Sequence, residues 1–212
     1  VVDANNVNHV DGVNAHKGDE MKIKYKGFLV GRGLAPFDGV VIIADGCKIK
    51  CKGCYTRDFK KMESKEDYPH NIIDLAHEVA IAYKRDFDGI IFSGLEWSEQ
   101  PLELLELCKE ASKCDLKIMI YTGLDFNEFY QTIGKAVLST TNPKDFEAIY
   151  GDDDLAFFEL LGRVTLDNYI PNDYWLKCGK YDREKASSGA DQFGVVLASE
   201  NQSIYLIKKA EK

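Results

Sequence analysis

Three short apolar runs decide most of what this chain can fold into. "GVVIIADG" (39–46), "DGIIFSG" (88–94) and "LKIMIYTG" (116–123) are each a few residues of Val, Ile, Phe or Met running into glycine. Runs so short and so continuously apolar suit strands buried on both faces, since a half-exposed strand alternates and a helix needs more length. Helical patterns lie between them. Pro69 stands where a first turn begins, and "NIIDLAHEVAIAYKRD" places Ile72, Leu75, Ala76, Val79, Ala82 and Tyr83 at helical spacing. "PLELLELCKEASK" opens on Pro101, and "DFNEFYQTIGKAVL" follows the third strand. This alternation predicts an α/β fold, an open and mostly parallel sheet with right-handed crossovers and helices on the outside. "MKIKYKGFLV" reads as an early strand and "RVTLDNYI" (163–170) as a further one. The tail "FGVVLASENQSIYLIKK" reads as two strands joined by a polar turn.

The chain has 212 residues, 45% of them hydrophobic, which suits one domain with a core that needs no staples. Residues 1–20 are polar and without period, and are expected to be an extension ahead of a working domain spanning 21–212. Residues 139–162 are expected to be an insertion, with "STTNPKDF" as turn chemistry and Asp152, Asp153 and Asp154 as a solvated helix N-terminus. No run of about 18 apolar residues marks a membrane span. A net charge of -8 argues against nucleic acid as the main partner. A basic leader followed by an apolar stretch is missing, so a cytoplasmic, reducing compartment is expected. There, clustered cysteines are metal or redox ligands rather than disulfides.

"GCKIKCKGCYT" (46–56) follows the first buried strand and carries Cys47, Cys51 and Cys54. Zinc, a disulfide and an iron–sulfur cluster are the occupants such a cluster could serve. Structural zinc usually takes two ligand pairs, and Cys51 with Cys54 is the sole Cys-x-x-Cys. Cys108 and Cys114 read as buried core thiols, Cys178 in "LKCGKY" stands alone, and His9, His16, His70 and His77 show no ligand spacing. Three thiolates are the number that leaves one iron of a four-iron cluster open. In a parallel sheet the working groups collect at the carboxyl ends of strands, where the cysteine loop, "SGLEW" and "YTG" all fall.

The spacing C-x-x-x-C-x-x-C after a buried strand resembles the radical S-adenosylmethionine (SAM) superfamily. At finer grain the chain is similar to the activating proteins of anaerobic ribonucleotide reductase, over most of its length from residue 21. "GCKIKCKGCYT" resembles their cluster loop, "FSGLEWSEQP" stands where they carry Ser-Gly-Gly-Asp-Pro, and "KIMIYTGLDFNEF" resembles their third motif. "LASENQSIY" resembles their Gly-Ser-x-Asn-Gln-Arg-Ile segment. The departures are Leu95 for the second glycine, Glu96 and Trp97 for Asp-Pro, and Ala198 and Glu200 in the last motif.

The resemblance implies a partial (β/α) radical-SAM barrel holding a [4Fe-4S] cluster on Cys47, Cys51 and Cys54. It further implies SAM bound by Ser93, Gly94, Glu96, Thr122 and Gly123, with Tyr55 packed against the cluster. For Glu96 a surface salt bridge is the plain alternative, and for Thr122 and Gly123 a strand-to-helix turn. Asn201 and Gln202 either line the sheet or cap a hairpin. The implied activity is reductive SAM cleavage that places a glycyl radical on a partner anaerobic ribonucleotide reductase. Lys48, Lys50, Lys52, Arg57, Lys60 and Lys61 form a basic island suited to an acidic, flavodoxin-like electron donor, or are solvated loop lysines. A radical SAM enzyme acting on a small molecule and a non-catalytic zinc or iron–sulfur module are the rival readings.

Overall fold

A computed structural model describes residues 21–31, 33–141, 154–187 and 189–209. The expected extension at 1–20 lies outside the described residues. The described residues form one seven-stranded open sheet in the order β3-β1-β2-β4-β5-β6-β7. The strands are β1 (Ile23–Val30), β2 (Gly39–Ala44), β3 (Lys65–Asp67), β4 (Gly89–Ser93), β5 (Lys117–Tyr121), β6 (Tyr174–Cys178) and β7 (Ser203–Ile207). Four α-helices accompany them among the described residues: α1 (Pro69–Ala82), α2 (Pro101–Lys113), α3 (Phe126–Thr141) and α4 (Leu155–Tyr169).

The three apolar runs are β2, β4 and β5, and with β6 they make the parallel centre of the sheet. Every residue of β2 is buried, as a strand covered on both faces requires. The flanks differ from the expected mostly parallel sheet. β1 runs antiparallel to both β2 and β3, and β7 antiparallel to β6, so the sheet is mixed. The register Ile43↔Ser93, Phe92↔Ile120 and Tyr121↔Lys177 brings the carboxyl ends of β2, β4, β5 and β6 to one edge.

The helices form a connected layer, with α1 on β1 and β2, α2 on β4 and β5, and α3 and α4 packed together beside α2. In α1 the buried stripe is Ile72, Ile73, Ala76 and Ala80, while Tyr83, expected on it, is exposed. α3 and α4 meet backbone to backbone. A Cβ on Gly162 would lie 1.9 Å from the Tyr130 carbonyl oxygen, and one on Gly134 2.1 Å from that of Phe158. No described helix is long and apolar enough to cross a membrane.

Residues 163–169, expected as a strand, are the second half of α4. Asp154 starts this helix by accepting from the Phe157 N–H at 3.3 Å, and Phe158, Gly162, Thr165 and Leu166 recur at helical spacing as its buried face. Of the expected insertion, residues 139–141 close α3 and 155–162 open α4, while 142–153 lie outside the described residues. In the tail, β7 is the single regular strand of the expected pair. Residues 190–199 make isolated bridges instead, Ala190 to Val196 and Ala186 to Ser199. The Asp191 carboxylate organises that turn by accepting from the Phe193 and Val195 N–H groups at 2.9 and 3.0 Å. Cys108 is buried as expected, but Cys114, at the end of α2, is exposed.

Candidate functional site

The cysteine loop leaves β2 and turns back over the sheet edge. Cys54 N–H donates to the Cys51 carbonyl at 3.3 Å, and between them Gly53 adopts φ +71°. A turn of this kind needs a left-handed residue at its third position, which is the reason glycine precedes Cys54. The thiols are half-buried. Cys47 Sγ donates to the Ile49 carbonyl at 3.6 Å, and Cys54 Sγ lies 3.3 Å from the Thr56 hydroxyl. Burial pushes the Cys47 thiol up to about 11 and raises Cys51 as well. Such thiols stay protonated until a metal displaces the proton.

The root of the loop is braced by α2 and its approach. The Gln100 side chain accepts from Asp45 N–H at 2.7 Å and donates to the Lys24 carbonyl at 2.9 Å. Glu99 accepts from Lys48 N–H, and Glu96 N–H donates to the Gly46 carbonyl at 2.9 Å. Lys26, Ser64 and Asp45 form a small network behind it, with Lys26 Nζ 2.8 Å from Ser64 and 3.2 Å from Asp45.

All nine residues expected at the site line one pocket at this edge. Ser93 ends β4 and Gly94 follows at φ +87°, where a Cβ would lie 2.8 Å from Ile43. Glu96 is 4% exposed, so it makes no surface salt bridge. Its carboxylate accepts from Ser98 N–H at 3.1 Å, the Thr122 hydroxyl at 2.9 Å and Gly123 N–H at 2.7 Å, tying the end of β4 to that of β5. Burial raises its pKa, against the pull of those donors. Gly123 lies under the cysteine loop, where a Cβ would meet Ile49 at 2.8 Å. Tyr55 stands at the rim, 64% exposed, and does not cover the pocket.

Sequence reasoning missed β6 and what it brings. Lys177 projects from its end into the same pocket, 3% exposed, with Nζ 4.4 Å from the Tyr121 ring centroid. Burial pulls its pKa from 10.5 down to about 8, partly offset by Asp191. Tyr181 and Gln202 complete the wall. Asn201 and Gln202 act as ties: Asn201 donates to the Lys180 carbonyl at 2.6 Å and Gln202 to that of Gly179 at 3.1 Å.

The residues present suit an iron–sulfur cluster. Three thiols share a wall of one pocket, and each would ligate a different iron. Among the described residues no three His, Cys, Asp or Glu side chains converge on one point as ligands of a single ion do, and a cubane does not ask them to.

No curated protein and no solved structure matches the chain. A family model for a 4Fe-4S single cluster domain matches residues 29–145, more than half of the chain and inclusive of Cys47, Cys51, Cys54, β4 and β5. On that match, with three thiols at the edge of an open α/β sheet, the chain belongs to the 4Fe-4S single cluster domain family.

Proposed function

We propose that this chain is a radical SAM activase that generates a glycyl radical on a partner anaerobic ribonucleotide reductase. In this reading Cys47, Cys51 and Cys54 hold a [4Fe-4S] cluster and SAM lies beside it, within a partial (β/α) barrel. The observation that carries the reading is the one pocket shared by the three thiols and the ends of β4, β5 and β6. The polar groups there suit an amino-acid moiety at an open iron. The Glu96 carboxylate and Ser93 hydroxyl match an ammonium, and the Lys177 ammonium matches a carboxylate. When bound, the cluster and SAM would supply one-electron reductive chemistry, fed by an external donor, that would take a hydrogen atom from a glycine of the partner.

The chain's own residues position and shield. Glu96 fixes the ends of β4 and β5 relative to each other, so ligand groups meet a preset geometry. Ile49 over Gly123 closes the cysteine loop onto β5. Tyr55 leaves the mouth open, and a glycine-bearing loop of a protein substrate is the cover that suits such an edge. In the basic island, Lys52 pairs with Glu184 and Lys61 with Asp58, and Lys60 donates to the Cys47 carbonyl. All six, Lys48, Lys50 and Arg57 included, are exposed and would draw in an acidic, flavodoxin-like donor.

The test is anaerobic reconstitution with iron and sulfide, then reduction with SAM and the cognate reductase. Equal yields of 5'-deoxyadenosine and methionine are expected, with a glycyl-radical signal lost when the reductase glycine is changed to alanine. Cluster-loaded protein that neither cleaves SAM nor changes its spectrum on SAM addition would end this reading. Consumption of a small metabolite with the reductase radical-free would transfer it to a small-molecule radical SAM enzyme.

A further inference from the structure

Charge is divided unevenly along this chain. Residues 22–67, which build β1, β2, the cysteine loop and β3, carry eleven Lys and Arg against six Asp and Glu, while residues 68–212 carry 15 against 25. The first group forms one flank of the sheet, because β3, β1 and β2 stand together at one end of the strand order. A net-acidic chain thus carries a net-basic flank.

On that flank a groove of about 500 Å³ opens between β1 and the end of α1. Its apolar lining is Phe28, Met62, Val79 and Tyr83, of which Met62 is 39% and Tyr83 68% exposed. Large apolar side chains that the fold leaves uncovered inside a charged rim mark an interaction surface. Lys26, Glu63 and Lys65 supply the charge. Two links run from the groove to the cysteine loop. The Lys26 ammonium lies 3.2 Å from Asp45, two residues before Cys47, and the Ser64 hydroxyl donates to the same carboxylate at 2.5 Å. The second passes through the 3-10 helix Arg57–Lys61, where Lys60 donates to the Cys47 carbonyl and Met62 follows directly. The groove shares no lining residue with the pocket of the three thiols.

We propose that this groove is the docking site of an acidic, one-electron donor protein, which delivers its electron from behind the cysteine loop and leaves the pocket mouth to the substrate. The inference rests on Cys47, Cys51 and Cys54 holding a cluster. The basic flank selects a partner with an acidic surface and orients it on approach. An apolar side chain of that partner, seated between Met62 and Tyr83, gives the docked complex its anchor. In the transfer a flavin hydroquinone anion on the partner gives up one electron to the cluster and becomes the neutral semiquinone, and no covalent bond forms or breaks.

The experiment uses the full chain, both cluster-free and anaerobically reconstituted, with a net-acidic flavodoxin as the probe. Binding of oxidised flavodoxin is titrated for both forms, and reduction of the reconstituted form by flavodoxin hydroquinone is followed as semiquinone appears. Lys65→Glu and Tyr83→Glu alter exposed groove positions, and Leu160→Glu alters a comparably exposed position on α4. The expected result is binding to both forms that weakens with salt and falls about tenfold in each groove variant but not in Leu160→Glu, with the reduction rate falling in parallel. Dithionite, which needs no docking surface, should reduce all the proteins alike. Wild type that binds no flavodoxin, or groove variants that bind it as wild type does, overturns the inference and leaves the cluster assignment standing. Loss of the glycyl radical in dithionite-driven reactions of the groove variants, with flavodoxin binding unchanged, overturns it as well and gives the groove to the substrate protein. A chain that takes up no iron and sulfide brings down the cluster assignment and this inference with it.

Discussion

Replacing Lys177 by methionine should make the ligand-free protein more stable. Lys177 is buried at the end of β6, its stem packed and its ammonium held over Tyr121 at 4.4 Å. Burial depresses its pKa from 10.5 to about 8, an interval worth about 3.4 kcal/mol at about 1.36 kcal/mol per pH unit. The cation–π contact already returns about 0.5–2 kcal/mol, and the Lys177→Met variant forfeits that part. Methionine keeps a similar apolar stem, so the net gain at neutral pH is about 2 kcal/mol. The sign follows from proton counts. Between about 8 and 10.5 the unfolded lysine is protonated and the folded one is not, so the wild type gains stability as pH rises through that window and loses it as pH falls through about 8. Urea denaturation of the cluster-free, reduced protein at about pH 7 and about pH 9.5 reads this directly, because subtracting variant from wild type cancels the thiols and tyrosines that also titrate there. The gap of about 2 kcal/mol should narrow to roughly half at the higher pH, because the unfolded lysine is still mostly protonated there, and it closes only above 10.5. A variant no more stable than wild type at neutral pH, or a gap that does not narrow between the two pH values, refutes the reasoning. The same substitution should weaken binding of a carboxylate-bearing ligand, the trade expected where a site stores instability for its ligand.

Two other outcomes are expected. Cys54→Ala should abolish cluster loading in iron and sulfide assays while Cys108→Ala, buried among the helices, should retain it, and equal loss in both would undo the ligand assignment. Gly162→Ala should cost about 2–4 kcal/mol in denaturant melts, because its Cβ would meet backbone at 1.9 Å and α3 and α4 must part; a loss below about 1 kcal/mol would mean the helices separate freely.

How much of the molecule is legible in the sequence follows the kind of signal. β2, β4 and β5 can be read because a continuous apolar run bounded by helical patterns needs burial on both faces. The site positions follow from those strand ends, since parallel register brings them to one edge whatever the crossovers do. β6 is not legible: "YWLKC" has a lysine at its end, and lysine in a sequence reads as surface until the fold buries it. The stretch 163–169 mimics a strand because the window opens halfway along a helix whose starting signal, Asp154, lies well upstream. The bridge between the cysteine loop and Asp182 is beyond reach for a different reason. Lys52 and Asp182 are brought together by the whole βα succession, and no local pattern announces that contact.

The departures at residues 95–97 fit the same account. The backbone requires glycine only at Gly94, whose φ is +87°; Leu95 has no positive φ and is 7% exposed, so the fold tolerates it at the position where the resemblance leads one to expect a second glycine. The segment is held by the next two residues. Trp97, fully buried, donates through Nε1 to the Ile42 carbonyl at 3.0 Å, fastening the segment to β2, and Glu96 fastens it to β5 through Thr122 and Gly123. Glu96 therefore serves the fold before it serves a ligand. Its raised pKa, caused by burial, means the protein without ligand favours the neutral acid more than water does, while a ligand ammonium placed beside it would favour the carboxylate. Binding of a cation at this corner should accordingly release a proton, so affinity should rise with pH until Glu96 is ionised in the free protein. Thr122→Val, which removes one of its donors, should push that rise to higher pH, and titration of SAM binding against pH in the cluster-loaded protein would show it as a displaced curve. Coincident curves for wild type and Thr122→Val would mean that the ligand's ammonium is held elsewhere.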